Sequence, residues 1–235
     1  MAKRSKLYKA QLAKFDKTAL YGLADAVKTL KEMPAVKFDQ TVEIAFKLGV
    51  DPKQTDQTVR GAIPLPKGTG KKVAITVITD DENLKQEARD AGADYVGYDD
   101  ILEKIKGGWV DFDVLIATPA VMGKVRPLGR QLGPKGLMPN PKTGTVTDKV
   151  GHAVAEAKAG RVEFRADKGA CVQVPAGKLS FKAEDLVENC VAIIKAIIKA
   201  KPASAKGVYI QSCTVSATMT PGVKVEIRDI VKEMA

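Results

Sequence analysis

The sequence predicts a mixed α+β and α/β fold in two domains: a split α+β domain with an antiparallel sheet, and a Rossmann-like three-layer α/β domain inserted into it. Three observations carry this. Both flanks of the chain show strands with a two-residue period, as at 38–48 and 208–216, the mark of a sheet buried on one face. The middle shows continuous apolar strands at 73–78 and 114–117 alternating with helical segments, the mark of a parallel sheet buried on both faces. Punctuation rich in glycine and proline at 64–72, and Gly160 at the far side, separate the two patterns. Residues 1–66 and 160–235 then form the split domain and 67–159 the insertion. Insertion sets two connections side by side, and paired connections act as a hinge.

The elements follow in order. Residues 5–15 and 18–33 read as two helices; in the second, Leu20, Leu23, Ala26, Val27 and Leu30 recur at helical spacing until Pro34 stops it. From Phe38 the period is two. Phe38, Val42, Ile44, Phe46 and Leu48 point one way, and Lys37, Asp39, Thr41, Glu43 and Lys47 the other. A second strand is expected at 58–63. The insertion reads as strand 73–78, helix 82–91, strand 95–97, helix 101–106, strand 114–117 and helix 149–159. Asp99 and Asp100 suit a helix start. The last third reads as strands at 161–165 and 171–174, a helix at 183–200, and strands at 208–216 and 223–228. Leu186, Cys190, Ile194 and Ile197 form that helix's apolar stripe.

With 235 residues, 45% hydrophobic, the chain has enough apolar content to bury a core in each domain. A formal net charge of +10, spread along the chain, favours a polyanionic partner. Aromatics are only 5%, which counts against a single-strand binder built on stacked bases. Cys171, Cys190 and Cys213 are widely spaced and form no metal-binding pattern, so reduced thiols in an intracellular protein are expected. The basic N-terminus lacks the apolar region of a signal peptide, and no apolar run approaches bilayer length, so no membrane partner is expected.

Catalytic chemistry finds little support. The run Gly68-Thr-Gly-Lys71 resembles a phosphate loop, but Leu65 stands where the first glycine belongs and no Ser or Thr follows Lys71. No dinucleotide fingerprint follows the strand at 73–78. The one histidine, His152, falls within a helical pattern, and no hydrolase or metalloprotease motif occurs. The expectation is therefore a non-enzyme with no cofactor and no metal. The alternative of a different class is a nucleotide-binding α/β enzyme.

The most distinctive stretch leaves the carboxyl end of the strand at 114–117, where open α/β sheets place their ligands. Between 119 and 146 it carries glycines at 123, 129, 133, 136 and 144 and prolines at 119, 127, 134, 139 and 141. This leaves little room for a long regular element. Lys124, Arg126, Arg130, Lys135 and Lys142 supply charge with no acid among them, and recurring Val, Leu and Met anchors argue for an ordered basic loop rather than a linker. The run Gly129-Arg-Gln-Leu-Gly-Pro-Lys-Gly-Leu-Met-Pro-Asn-Pro-Lys-Thr-Gly-Thr-Val146 resembles the signature of the L1 family of large-subunit ribosomal proteins. Other stretches match the same family, so the resemblance spans nearly the whole chain.

That resemblance implies the two-domain insertion already read from pattern, and an RNA contact on the split domain. It carries over Lys37, Phe38, Thr41 and Glu43 from one strand, Arg165, Asp167 and Lys168 from a turn, and Ser212 with Thr218, Met219 and Thr220 from the last hairpin. By the two-residue period Lys37, Thr41 and Glu43 share a face, a mixture suited to riboses and base edges. Phe38 fits either a contact or the core beside Val42 and Ile44. Thr220 stands where the family usually has glycine; if the position needs positive φ, either the loop is reshaped or Gly222 takes the unusual dihedral. After Lys168 the chain reads Gly-Ala-Cys where Thr-Gly is more usual. The implied partners are large-subunit rRNA at the ribosome's mobile stalk, deacylated tRNA leaving the exit site, and the protein's own operon mRNA as a translational repressor. The implied place is the cytoplasmic ribosome.

Overall fold

The structure, a computed structural model, describes residues 5–34 and 36–227. They divide into two compact units: the described residues up to Gly70 together with those from Val162 onward, and Lys71–Arg161.

The first unit opens with α1 (Lys6–Leu12), capped by the Ser5 hydroxyl accepting from Tyr8 N at 3.2 Å. α2 (Leu23–Glu32) buries Leu23, Ala26, Val27 and Leu30. It starts later than its apolar spacing suggests. Tyr21 N donates to Lys224 O and Glu226 N donates to Tyr21 O, at 3.0 and 2.9 Å, so this backbone is held extended. Leu20, expected in the helix stripe, is 57% exposed. β1 (Thr41–Leu48) shows the anticipated alternation, with Val42, Ile44, Phe46 and Leu48 at most 1% exposed. β2 (Arg60–Pro64) follows.

The second unit runs β3 (Ile75–Ile78), α3 (Glu82–Asp90), β4 (Tyr95–Gly97), α4 (Asp99–Lys106) and β5 (Val114–Ala117), then α5 (Met122–Val125), α6 (Gly129–Leu132) and α7 (Val150–Ala159). Its sheet is parallel in the order β4-β3-β5. Alternate strand residues feed two cores. Ile78 and Leu115 pack with α4, α5 and α6 residues such as Ile105, Val125 and Leu132. Ile75, Val77 and Ile116 pack with Ala88 of α3 and Val150, Val154 and Ala157 of α7. Two helical layers on one sheet make the three-layer α/β architecture. Gly160 ends α7 at φ 102°, a left-handed cap that favours glycine.

The chain then returns to the first unit through β6 (Arg161–Arg165), β7 (Cys171–Lys178), α8 (Ala183–Lys199), β8 (Ile210–Ala217) and β9 (Val223–Val225). The main sheet has the order β7-β1-β8-β9, and β1 pairs antiparallel with both neighbours; β2 and β6 form a second sheet. One face of the main sheet packs on α2 and α8 through Leu30, Leu186, Ile193 and Ile194. The segment after β2 is fastened to α8: the buried Asn189 amide accepts from Lys67 N at 3.1 Å and donates to Gly68 O at 3.0 Å and Ala176 O at 2.7 Å. Lys67 and Gly68 therefore belong physically to the split unit. Among the described residues no helix is long and apolar enough to cross a membrane.

Candidate nucleic-acid interface

One face of the four-stranded sheet is core, and its other face is exposed or half-buried. β1 presents Thr41, Glu43, Ala45 and Lys47 there. The register aligns Glu43 with Ser216 and Pro175, Ala45 with Thr214 and Gln173, and Lys47 with Ser212 and Cys171. Alternation on β8 thus sets Ser212, Thr214 and Ser216 in a hydroxyl row beside a row carrying a carboxylate and an ammonium. Such a surface offers donors and acceptors without a uniform phosphate-binding charge.

The hairpin between β8 and β9 is tied to the start of β1. Thr218 N donates to Thr41 O at 3.2 Å, and Thr41 N donates to the Thr218 hydroxyl at 3.1 Å. Met219 N donates to Oε1 of the buried Gln40 at 2.9 Å. Lys178 Nζ donates to the Thr41 hydroxyl at 2.9 Å. These bonds leave the Met219 side chain 52% exposed on a fixed backbone. Thr220 is not strained: among the described residues Ala170 is the one non-glycine with positive φ. The Thr220 hydroxyl accepts from Ala217 N at 2.8 Å and closes the turn. Nor does Gly222 adopt a positive φ; a Cβ there would meet Thr214 Cγ2 at 2.6 Å, so any larger residue would have to displace the Thr214 side chain.

The turn between β6 and β7 is organised by Asp167. Its carboxylate accepts from Gly169 N and Cys171 N, both at 2.8 Å, while Ala170 N donates to Asp167 O. Arg165 and Lys168 project outward, and Lys47 Nζ donates to Gly169 O. Ala170, in the Gly-Ala-Cys run, takes the left-handed conformation at φ 57°.

Two expectations at the edge of β1 need correction. Lys37 and Phe38 lie in a bend before the strand, so the two-residue period does not reach them and Lys37 shares no strand face with Thr41 and Glu43. Phe38 is 52% exposed, which overturns its reading as core. The structure joins Thr41, Thr218, Met219 and Thr220 at one end of the sheet, and it sets Ser212, Lys168 and Asp167 toward the end where Lys47 lies. Gln40, Lys178 and Ser216 join this surface as well. The alternation of Ser212, Thr214 and Ser216 was legible, but the partners of Gln40 and Lys178 are far away in sequence.

Residues 30–221 match the Ribosomal protein L1p/L10e family. Over 226 residues the chain is 50% identical to "Large ribosomal subunit protein uL1" of Chlorobaculum tepidum, covering 96% of this chain and 97% of that protein. The chain belongs to the ribosomal protein L1 family.

The signature stretch of this ribosomal protein is more regular than its glycines and prolines suggest. Pro119–Val121, α5, Arg126–Leu128 and α6 follow one another without interruption as alternating 3₁₀ and α turns. Val121, Val125, Leu128 and Leu132, spaced by four, three and four, are at most 4% exposed. The proline rings are tolerated because Pro119 and Pro127 each stand in the first turn of a 3₁₀ segment. The stretch then turns through Asn140 and returns to β5, where Ala117 N donates to Thr145 O and Thr147 N to Ala117 O.

Its cations are not equivalent. Lys124 lies 3.1 Å from the Asp99 carboxylate and 4.3 Å from the Tyr98 ring centre. The Tyr98 side chain first, and Asp99 second, hold its ammonium above the usual lysine range. Arg126, Arg130 and Lys135 are exposed with no ion-pair partner among the described residues. The side chain of Lys142 lies outside the described ones. His152 is exposed on α7, its Nδ1 3.6 Å from Glu156.

Proposed function

We propose that this chain is a structural constituent of the large ribosomal subunit that binds large-subunit rRNA through the open face of its split unit. It acts in the cytoplasm, on the ribosome, and not as an enzyme. The observation carrying this reading is the locked cluster of Thr41, Thr218, Met219 and Gln40, which holds an exposed thioether beside a hydroxyl-lined sheet face. A flexible thioether packs well on a ribose or base face, and the hydroxyl rows supply directional hydrogen bonds. Phe38, Glu43, Ser212, Arg165 and Lys168 extend the same surface. By family likeness, the bound protein sits on the mobile stalk and assists release of deacylated tRNA from the exit site. The same face, presented with a similar motif in its own operon mRNA, represses translation. The nucleotide-enzyme alternative fares worse, because the segment leaving β5 packs Val121, Val125, Leu128 and Leu132 into the core.

The test compares a large-subunit rRNA fragment with a scrambled RNA of equal length. Met219→Ala is expected to weaken specific binding, leaving scrambled binding and salt dependence unchanged, since no phosphate contact is lost. Thr218→Ala acts through position: it removes the acceptor for Thr41 N and loosens the hairpin, costing roughly 1 kcal/mol or more. Equal weakening on both RNAs by Met219→Ala, or none on either, would remove this face from recognition.

A further inference from the structure

The helical run from Pro119 to Leu132 has a face that folding does not explain. With Val121, Val125, Leu128 and Leu132 buried, a helical repeat puts Gly123, Arg126 and Arg130 on the opposite, exposed side. Arg126 and Arg130 are one turn apart, about 5–6 Å between their Cβ atoms on a regular helix. Like charges at this spacing repel, and neither has an ion-pair partner among the described residues. Lys124, by contrast, is engaged by Asp99 and Tyr98. No acidic residue occurs between 114 and 147, and Lys135 extends the positive surface past the end of α6.

Two glycines, Gly123 ahead of the arginines and Gly129 between them, have no packing reason among the described residues. Gly129 has φ −56°, Gly123 is internal to α5, and neither has a positive φ. A Cβ added at either would meet nothing within 4 Å. Neither dihedral nor space therefore requires glycine, although glycine destabilises a helix relative to alanine. A ridge that keeps two repelling arginines and is bare beside them suits a partner of dense negative charge that approaches the backbone closely. Guanidinium matches phosphate oxygens in a two-pronged geometry. In a ribosomal protein, and with no aromatic side chain in the stretch for base stacking, that partner is an RNA backbone.

We infer that Gly123, Arg126 and Arg130 form a second RNA-contact surface, on the inserted unit, where the two arginines clamp phosphates of one RNA strand. This surface binds charge and shape, not sequence. It is independent of the sheet-face reading, and the two fail separately.

The test uses the full chain with Arg126→Ala/Arg130→Ala, Arg126→Lys/Arg130→Lys and Gly123→Ala/Gly129→Ala double variants. The probes are a large-subunit rRNA fragment, bulk deacylated tRNA and poly-glutamate of matched charge. Losing two phosphate contacts lowers the slope of log K against log salt by about 1.4–1.8, so the affinity penalty between about 50 and 200 mM salt shrinks by about 7- to 12-fold. The alanine pair is expected to show this change on at least one RNA; the RNA that shows it identifies the source of the phosphates. The lysine pair should keep the slope and lose affinity. The glycine pair should melt no lower than the parent and still bind that RNA more weakly. An unchanged slope in the alanine pair would overturn the inference. So would an equal slope change on poly-glutamate, or undiminished RNA binding by the glycine pair. Met219→Ala, measured beside them, alters specific rRNA binding without altering the slope, so failure of either surface is recognisable.

Discussion

Asn189 should be the most sensitive polar residue in the split unit. Its amide is fully buried within α8 and makes three hydrogen bonds, to Lys67 N, Gly68 O and Ala176 O. Asn189→Ala strands one donor and two acceptors. Ala176 O is buried, so it takes the full penalty of an unsatisfied group, about 1–3 kcal/mol. The bonds to Lys67 and Gly68 are partly buried, water can replace them, and each contributes about 0.5–1.5 kcal/mol. The sum, about 2–6 kcal/mol, is a large share of a typical domain's stability. The neighbouring ion pairs offer a contrast. Lys67 Nζ lies 3.7 Å from Asp185 and 3.3 Å from Glu188, and Glu188 first, then Asp185, raises its pKa. Lys67 and Glu188 are exposed and Asp185 half-buried, so water screens these pairs and Lys67→Gln should leave the unfolding midpoint nearly unchanged. Urea unfolding followed by circular dichroism measures both variants. Emission from Trp109, the only tryptophan and part of the other unit, gives an internal control whose midpoint should not move. Limited proteolysis should cut near residues 65–70 in Asn189→Ala and spare the parent. A loss below about 1 kcal/mol, or a connection that stays protected, would refute the clamp.

Two further outcomes follow from single side chains. Ala170 is buried at φ 57°, where a side chain costs about 1–2 kcal/mol and glycine escapes that cost while losing a methyl and some chain entropy. Ala170→Gly should therefore melt at or slightly above the parent and Ala170→Val should lose roughly 2 kcal/mol; a valine variant as stable as the parent would refute the strain. Burial pushes the Cys190 and Cys213 thiols up to about 12, while Cys171 is half-exposed on the open sheet face. Native alkylation near pH 8 should label Cys171 alone, and equal labelling of all three would contradict the packing. With folded pKa values raised, these two thiols contribute stability fully present below the usual thiol pKa and lost as pH rises toward 12.

What was legible in the sequence is what depends on local periodicity. The alternation along Val42, Ile44, Phe46 and Leu48, and the unbroken apolar runs of β3 and β5, report burial directly because strand side chains alternate. Periodicity misleads where it continues beyond the element that produces it. Lys37, Phe38 and Leu20 continue their neighbours' spacing, yet each lies outside the regular backbone. The signature stretch failed the other way. Its glycine and proline content masked a four-three-four apolar spacing that was present in Val121, Val125, Leu128 and Leu132. Tertiary hydrogen bonds were not legible at all. Asn189 looks like an ordinary polar helix residue, and nothing local marks Thr218 as the partner of Thr41, 177 positions away.

These long-range bonds also bear on why the proposed interface can discriminate. Specificity is a difference between affinities, and ordering a loose side chain or loop on binding subtracts from every partner's affinity. In the hairpin, both backbone amides next to the exposed thioether are already committed, Thr218 N to Thr41 O and Met219 N to Gln40 Oε1. Little backbone entropy remains for an RNA to remove there, so misfit costs binding energy instead of being absorbed by loop motion. The crest at Arg126 and Arg130 works on the opposite principle. Among the described residues its two long side chains have no ion-pair partner to hold them, so they adapt to phosphate positions, which suits contact that tolerates sequence. The contrast gives the two surfaces different signatures: recognition lost at constant salt slope for Met219→Ala, and slope lost at constant sequence preference for the arginine pair.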